Sequence, residues 1–184
     1  MKKEVPASLH SWLSCTRCVL GKYANHHVVG RGVLPCDVLF LGESPGRSED
    51  AIGEAFVGRA GRLLDKAIGA TDRRVFFANL TMCRGTDGVG EGNRAPTVEE
   101  IKECLPRLLE TIRLGKPRGI VCAGLVPARA FEEFVRPGML SWKLEPFPQK
   151  LNVPHPAYIL RSGGEASLGW VRYCETIKEF MRRC

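Results

Sequence analysis

The sequence predicts an α/β fold in which a central sheet of four parallel strands is covered by helices on both faces, giving three α/β/α layers. Two observations lead to this prediction. Four short apolar segments alternate along the chain with stretches whose apolar residues recur at helical spacing. The segments are continuously apolar rather than alternating, as expected for strands that are buried on both faces of a parallel sheet.

The predicted elements follow one another with clear boundaries. The predicted strands cover residues 34–41, 74–80, 119–124 and 151–153. A helix begins at Gly58, and a second one opens at a capping box formed by Thr97 and Glu100. Two more helices are predicted over residues 125–135 and 166–181, and a loop or hairpin over residues 136–150.

Length and composition limit the possible classes of protein. A chain of 184 residues fits a single domain, residues 1–184, with a substantial core. No apolar stretch approaches the roughly 18 residues that a membrane span needs, and the start of the chain lacks a secretory signal, so we expect an intracellular protein. The net charge of +7 favours a polyanionic partner such as nucleic acid.

Eight cysteines are more than packing requires in an intracellular chain. Cys15 and Cys18 form a C-x2-C pair, whose thiolates can share a metal. The cysteines therefore suggest metal or redox chemistry before disulfides.

The loops at the carboxyl ends of the strands are predicted to form one cleft, because ligands bind at that edge of an open α/β sheet. The alternatives to a ligand site are an ordinary strand-to-helix loop at residues 42–46 and a Phe56 side chain that only packs against the following helix. The gathered set lacks a nucleophile–base pair, but it offers an aromatic face, an amide edge and an imidazole for a planar heterocycle. Its members are Glu43, Ser44, Phe56, Asn79 and His155.

The order of four motifs resembles that of the family 4 uracil-DNA glycosylases. The motifs are GESPGRSED, FVGRAGRLL, FFANLTMCR with NRAPTVEE, and HPAYILR, and the similar region extends from about residue 15 to 161. The resemblance implies a four-stranded parallel sheet flanked by helices. It also implies hydrolysis of the N-glycosidic bond of deoxyuridine in DNA, with the uracil flipped out of the duplex.

The resemblance assigns roles to the residues of the cleft. Phe56 stacks beneath the uracil, and Asn79 donates to uracil O4 while accepting from N3–H, a pattern that cytosine reverses. His155 stabilises the negative charge that develops on O2 of the leaving uracil. Thymine is excluded by shape, with Glu43, the Pro45–Gly46 turn and Gly42 at the wall of the pocket.

Water positioning and DNA contacts complete these expectations. Ser44 stands where family 4 usually has alanine, and Glu43 with the loop backbone orients the attacking water. Tyr158, Ile159 and Leu160 are candidates for a wedge that fills the gap left by the flipped base. Arg59, Arg62 and Arg161 are candidates for phosphate contacts, although a solvated surface is an equal alternative for each arginine.

The resemblance also implies a [4Fe-4S] cluster, held by Cys15, Cys18, Cys83 and Cys104, that ties down the amino-terminal segment. Spacing alone leaves zinc as an equal alternative. The connection at residues 84–103 contains a glycine-rich insert that is longer than usual for the family.

Other readings of the sequence concern scope and partners. A non-catalytic iron–sulfur module that binds DNA or senses redox state is one alternative, and a glycosylase for hypoxanthine or xanthine is another. A phosphate-binding loop at GESPG lacks the lysine and the spacing of a P-loop. We expect a monomer that acts on uracil-containing DNA and does not associate with a membrane. The sequence identifies no clamp or polymerase partner.

Overall fold

A single mixed sheet forms the centre of the protein in the computed structural model, which describes residues 7–141 and 146–184. Its strands are β1 (Arg31–Gly32), β2 (Val38–Gly42), β3 (Val75–Asn79), β4 (Gly119–Ala123) and β5 (Gln149–Val153). They lie in the order β1-β3-β2-β4-β5. Strands β3, β2, β4 and β5 are parallel to one another, whereas the edge strand β1 runs antiparallel to β3.

The helices alternate with these strands. They are α1 (Leu20–Tyr23), α2 (Arg47–Ile52), α3 (Arg59–Ile68), α4 (Val98–Gly115), α5 (Leu125–Ala130), α6 (Arg136–Ser141), α7 (Pro156–Arg161) and α8 (Leu168–Arg183). Short 3-10 segments cover Ala7–Ser14 and Gly164–Ala166, and a π-helical turn covers Phe131–Val135. In the part of the chain that the structure describes, no helix has both the length and the apolar character needed to cross a membrane.

Two apolar clusters lie on opposite faces of the sheet and give the predicted three layers. Val38 and Phe40 of β2 join the cluster that contains residues of α3 and α8. Leu39 and Leu41 point to the opposite face and pack with residues of α4. This alternation follows from the two-residue repeat of a strand, and it explains why the predicted strands are apolar at every position.

The four parallel strands lie where the apolar segments predict them, but the prediction of a four-stranded, all-parallel sheet is wrong. The additional strand β1 pairs Arg31 with Phe77 and Gly32 with Phe76. Gly32 has a φ of 126°, and a Cβ at this position would collide with the backbone of Val75. A two-residue strand that depends on a glycine leaves no apolar run for a sequence pattern to detect.

The prediction of a loop or hairpin over residues 136–150 is also wrong in part, because α6 occupies Arg136–Ser141. Within this region β5 begins at Gln149, and Trp142 lies outside the described residues. The start of α4 is as predicted. The Thr97 side chain accepts from the Glu100 N–H, and the Glu100 carboxylate accepts from the Thr97 N–H.

Candidate functional site

A cleft of about 540 Å³ lies at the carboxyl ends of the parallel strands. The register of the sheet explains why loops from distant parts of the chain meet here: Gly42 at the end of β2 is paired with Asn79 at the end of β3. All five side chains that were predicted to gather do so. The cleft is lined by Glu43, Ser44, Pro45, Gly46, Glu49, Phe56, Ala60, Gly61, Asn79, Asn93, Arg94, Ala95, His155, Ala157 and Arg161.

Gly42 does not line the cleft but makes its geometry possible. A Cβ at this position would collide with the Asn79 Oδ1 atom and would lie 2.6 Å from the Phe56 Cζ atom. Asn79 is only 4% exposed, yet its side-chain amide makes no hydrogen bond to any described residue. A buried amide without an internal partner is free to pair with a ligand, because its donor and its acceptor both need one.

The backbone of Phe56 is held in an unusual conformation beside this amide. Its φ of 56° lies in the left-handed region, where a non-glycine residue typically costs about 1–3 kcal/mol. Arg31 supports this conformation, because its Nε donates to the Ala55 carbonyl at 2.9 Å and its Nη2 contacts Asp65 at 2.7 Å. The Phe56 ring packs on Phe77 with 5.4 Å between the ring centroids. The ring is therefore fixed before any ligand arrives.

Glu49 joins two of the loops that form the cleft, and the sequence reading did not identify it. Its carboxylate accepts from the Gly46 N–H at 3.1 Å and from the Gly58 N–H at 2.8 Å. The first contact is one half of a capping box at the start of α2, because Glu49 lies three residues after Gly46 and glycine has no side chain to supply the other half. With glycine in place of the Ser or Thr of a full capping box, the sequence offers no clear signal for this role of Glu49.

Glu43 and Ser44 lie on the β2 loop, and the end of β3 fixes the backbone of this loop. The Leu80 N–H donates to the Gly42 carbonyl at 2.9 Å, and the Thr81 N–H donates to the Glu43 carbonyl at 3.2 Å. Burial raises the pKa of the Glu43 carboxyl above its usual range. A carboxylate that is half removed from water is a stronger proton acceptor than an exposed one.

The structure indicates the tautomer of His155, which precedes α7. Its Nδ1 accepts a hydrogen bond from the Ala157 N–H at 3.1 Å, so in the neutral ring the proton is on Nε2. Burial lowers the pKa of His155, and the nearby Arg161 cation lowers it further, against a smaller opposing effect of Glu49. The site therefore holds a neutral imidazole that can donate from Nε2.

The glycine-rich insert folds back onto the rim of the cleft and supplies Asn93, Arg94 and Ala95, which the sequence reading also missed. The Arg94 guanidinium makes two 2.8 Å contacts with the Glu100 carboxylate, and the backbone N–H of Arg94 donates to the Gly85 carbonyl at 2.9 Å. Local hydrogen bonds of this kind leave no periodic pattern in a sequence.

The residues predicted to touch DNA are distributed around the cleft. Arg161 lines it, whereas Arg59 and Arg62 are exposed on the first turn of α3, and Arg62 donates to the Val57 carbonyl at 2.9 Å. Tyr158 is exposed and Leu160 is half-buried against the core; neither lines the cleft.

The three-residue wedge that was predicted after His155 is wrong at its centre. Ile159 is only 5% exposed and belongs to the apolar core. It is therefore not available to enter a duplex.

A second, smaller cavity is lined by all four predicted ligand cysteines, Cys15, Cys18, Cys83 and Cys104. Burial, together with the other three thiols, raises the pKa of Cys83 to about 12. Among the described residues, no three His, Cys, Asp or Glu side chains are close enough together to hold a single metal ion.

Arg107 is completely buried and lies one helical turn after Cys104 on α4. Its Nε and Nη1 atoms have no hydrogen-bond partner among the described residues, and none of the described carboxylates pairs with it. A buried cation without a counter-charge is strongly unfavourable. These orphaned donors beside four cysteines are what a negatively charged, sulfur-ligated group would satisfy.

The chain is similar in sequence to one known protein family over most of its length. A family model described as the uracil DNA glycosylase superfamily matches residues 29–181. The type-4 uracil-DNA glycosylase of Pyrobaculum aerophilum is 40% identical over 125 residues, which cover 66% of this chain and 61% of that protein. The type-4 uracil-DNA glycosylase of Archaeoglobus fulgidus is 38% identical over 120 residues, which cover 64% of this chain and 58% of that protein.

The match to the type-4 uracil-DNA glycosylase of Thermotoga maritima is longer. The two chains are 34% identical over 156 residues, which cover 80% of this chain and 79% of that protein. In contrast, the chain spans about three fifths of the length of the Pyrobaculum and Archaeoglobus proteins.

Proposed function

The chain belongs to the type-4 branch of the uracil DNA glycosylase superfamily, and from this premise we propose that it excises uracil from DNA. It hydrolyses the N-glycosidic bond of deoxyuridine, releases uracil and leaves an abasic site. One observation carries the proposal: the unpaired amide of Asn79, the fixed ring of Phe56 and the neutral imidazole of His155 all line one cleft.

Base recognition depends on Asn79 and Phe56. The amide donates to uracil O4 and accepts from N3–H, while the ring of Phe56 stacks against the base. Such stacking contributes about 1–3 kcal/mol for any base. Discrimination therefore comes from the amide, because cytosine would leave its buried donor and acceptor facing like groups. Glu43 and the Pro45–Gly46 turn form the wall that excludes the methyl group of thymine.

Departure of uracil depends on His155. As the bond to the sugar breaks, negative charge accumulates on uracil O2, and the Nε2–H of the neutral ring donates to it. A donor that is already oriented by the Ala157 N–H needs no reorganisation during the reaction. One such donor typically contributes about 3 kcal/mol to the stabilisation of the transition state.

Attack of water on the sugar is assigned to the β2 loop. Glu43 is half-buried, its carboxylate makes no hydrogen bond to any described residue, and it lies beside Ser44 in the cleft. We assign the orientation of the water to the Glu43 carboxylate and the loop backbone, with the Ser44 hydroxyl as a second acceptor.

The DNA backbone is held by positive charge around the cleft. Arg161 lies at its edge, and the exposed Arg59 and Arg62 lie on α3. With a net charge of +7, the protein is expected to lose DNA affinity steeply as the salt concentration rises. Tyr158, with 57% of its surface exposed, and Leu160 remain the candidates for the wedge.

A [4Fe-4S] cluster held by Cys15, Cys18, Cys83 and Cys104 is the second part of the proposal. Its support is the shared cavity and the orphaned donors of Arg107. When bound, the cluster crosslinks the amino-terminal segment to the residues around α4. The nearby protein already supports this link, because His27 contacts the Cys15 carbonyl at 2.8 Å and Arg17 pairs with Glu103 at 3.1 Å.

The test uses a labelled oligonucleotide with one U opposite G, followed by alkaline cleavage of abasic sites. We expect strand cleavage at U, and none in matched oligonucleotides with C or T at that position. Asn79→Asp places a carboxylate against uracil O4 and should reduce kcat/KM at least about 100-fold. Asn152→Asp, at an exposed position of β5, is the matched control and should retain wild-type activity.

Iron and sulfide content are measured on the same preparation. A protein that contains the cluster but leaves U intact would contradict the glycosylase and would favour a DNA-binding or redox-sensing module. Cleavage at hypoxanthine or xanthine instead of U would indicate a glycosylase of different scope.

A further inference from the structure

The completely buried Arg107 has one guanidinium nitrogen directed at the end of β3. Its Nη2 donates to the Asn79 carbonyl at 2.8 Å and to the Leu80 carbonyl at 3.1 Å. Asn79 is the residue whose side chain reads the base in the proposed function. Arg107 therefore contacts the backbone of the recognition residue without lining the cleft itself.

Two other nitrogens of the same guanidinium make no such contact. Nε and Nη1 have no hydrogen-bond partner among the described residues. Cys104 lies one helical turn earlier on α4, and Cys83 lies three residues after Leu80, whose carbonyl Arg107 contacts. One planar group thus bonds to the strand that carries Asn79 and keeps two buried donors unpaired between the segments that carry Cys83 and Cys104.

We propose that Arg107 is a positioning residue that couples the group held by the four cysteines to the base-recognition strand. It supplies N–H donors and a positive charge to the thiolate-ligated cluster, and it uses the same guanidinium to fix the carbonyls of Asn79 and Leu80. The inference rests on the cluster in the proposed function. It gives that cluster an influence on uracil binding through one side chain.

The chemistry of iron–sulfur groups makes this coupling measurable. The reduction potential of a cluster depends on its net charge and on hydrogen bonds to its sulfurs, so a buried cation favours the reduced form. Removing the charge should shift the midpoint potential to more negative values. Loss of the bonds to the two carbonyls should loosen Asn79 and weaken uracil binding.

The experiment compares the wild-type holoprotein with Arg107→Met, Arg107→Lys and Arg113→Met. Arg113 is exposed on the same helix and serves as the matched control. Two quantities are measured for each protein: the midpoint potential of the cluster, by mediated titration, and the inhibition constant of free uracil. We expect Arg107→Met to shift the potential to more negative values and to weaken uracil inhibition about tenfold, with the control unchanged.

Arg107→Lys separates a specific role from a general loss of packing. It keeps the positive charge, so it should restore the wild-type potential, while uracil inhibition stays weaker because a single ammonium lacks the planar fork. A change in the potential of Arg107→Met with wild-type uracil inhibition would overturn the coupling, and so would wild-type values for both quantities.

Failure of the proposed function is recognisable separately. A wild-type protein without iron would overturn the cluster and this inference together. A wild-type protein with the cluster that does not cut at U would overturn the glycosylase activity alone. The midpoint potentials are still measured, and the affinity for free uracil is then determined by equilibrium titration instead of inhibition.

Discussion

Replacing Gly42 by alanine should remove activity while leaving the fold intact, because the added methyl group has no room. Its carbon would lie 2.6 Å from the Phe56 Cζ atom, whereas ordinary van der Waals contact begins at 3.4 Å. The ring must therefore move by about 0.8 Å, and Asn79 Oδ1 is even closer to the new carbon. Both contacts are to side chains that the proposed function uses to hold uracil.

The size of the effect follows from the interactions that are lost. Displacing the ring weakens stacking that contributes about 1–3 kcal/mol. Turning the amide away from the base forfeits hydrogen bonds whose loss costs about 1–3 kcal/mol each. We therefore expect kcat/KM to fall about 10²-fold to 10⁴-fold. Overpacking should reduce the free energy of unfolding by only about 1–3 kcal/mol.

The assay is single-turnover cleavage of the U-containing oligonucleotide, with thermal unfolding followed in parallel. Gly169→Ala is the control, because Gly169 lies in α8, where an added methyl group meets no atom closer than 4.0 Å. A Gly42→Ala protein with wild-type activity would refute the reasoning, since it would show that Asn79 and Phe56 need not hold these positions.

Two further predictions concern groups around the cleft. Because burial and the Arg161 cation lower the pKa of His155, the folded state binds fewer protons than the unfolded state just below the usual value of about 6.5. The contribution of His155 to the free energy of unfolding should be complete above that pH and decline as the pH falls towards its lower folded-state pKa. The rate of uracil cleavage should decline over the same pH range. A rate that rises on acidification would contradict a neutral donor. Glu49→Gln leaves one of the two loop N–H groups facing an amide N–H, so we expect a loss of about 2 kcal/mol and a Tm lower by about 4–8 °C. Glu91→Gln, at an exposed position of the insert, is its control, and equal melting temperatures for the two variants would show that Glu49 does not hold the loops together.

The parts of the fold that could be predicted from the sequence are those fixed by burial on both faces of the sheet. Strands β2, β3 and β4 are apolar along their length because each has helices on both sides. The helix α6 was missed because Pro137 and Gly138 are typical of a turn. The preceding π-helical turn widens the backbone before Pro137, and Met139 packs into the core, so the helix continues.

The candidate site shows the same division. Phe56, Asn79 and His155 were accessible to sequence reasoning because each belongs to a motif of recognisable order. Asn79 ends β3, His155 directly precedes α7, and Phe56 lies three residues before α3. Glu49 and Asn93 were not, because their positions depend on single hydrogen bonds from loop N–H groups and from Arg84. Contacts of this kind are specified by the folded geometry and not by the spacing of apolar residues.

The contacts of the Glu100 carboxylate affect the order in which parts of the chain fold. It caps α4 by accepting from the Thr97 N–H, and it also receives the Arg94 guanidinium that holds the insert at the rim of the cleft. The rim can take its shape only once the first turn of α4 exists, so it should be among the last parts of the molecule to form. It should also be among the first to open, and its amide hydrogens should exchange with solvent before those of the sheet do.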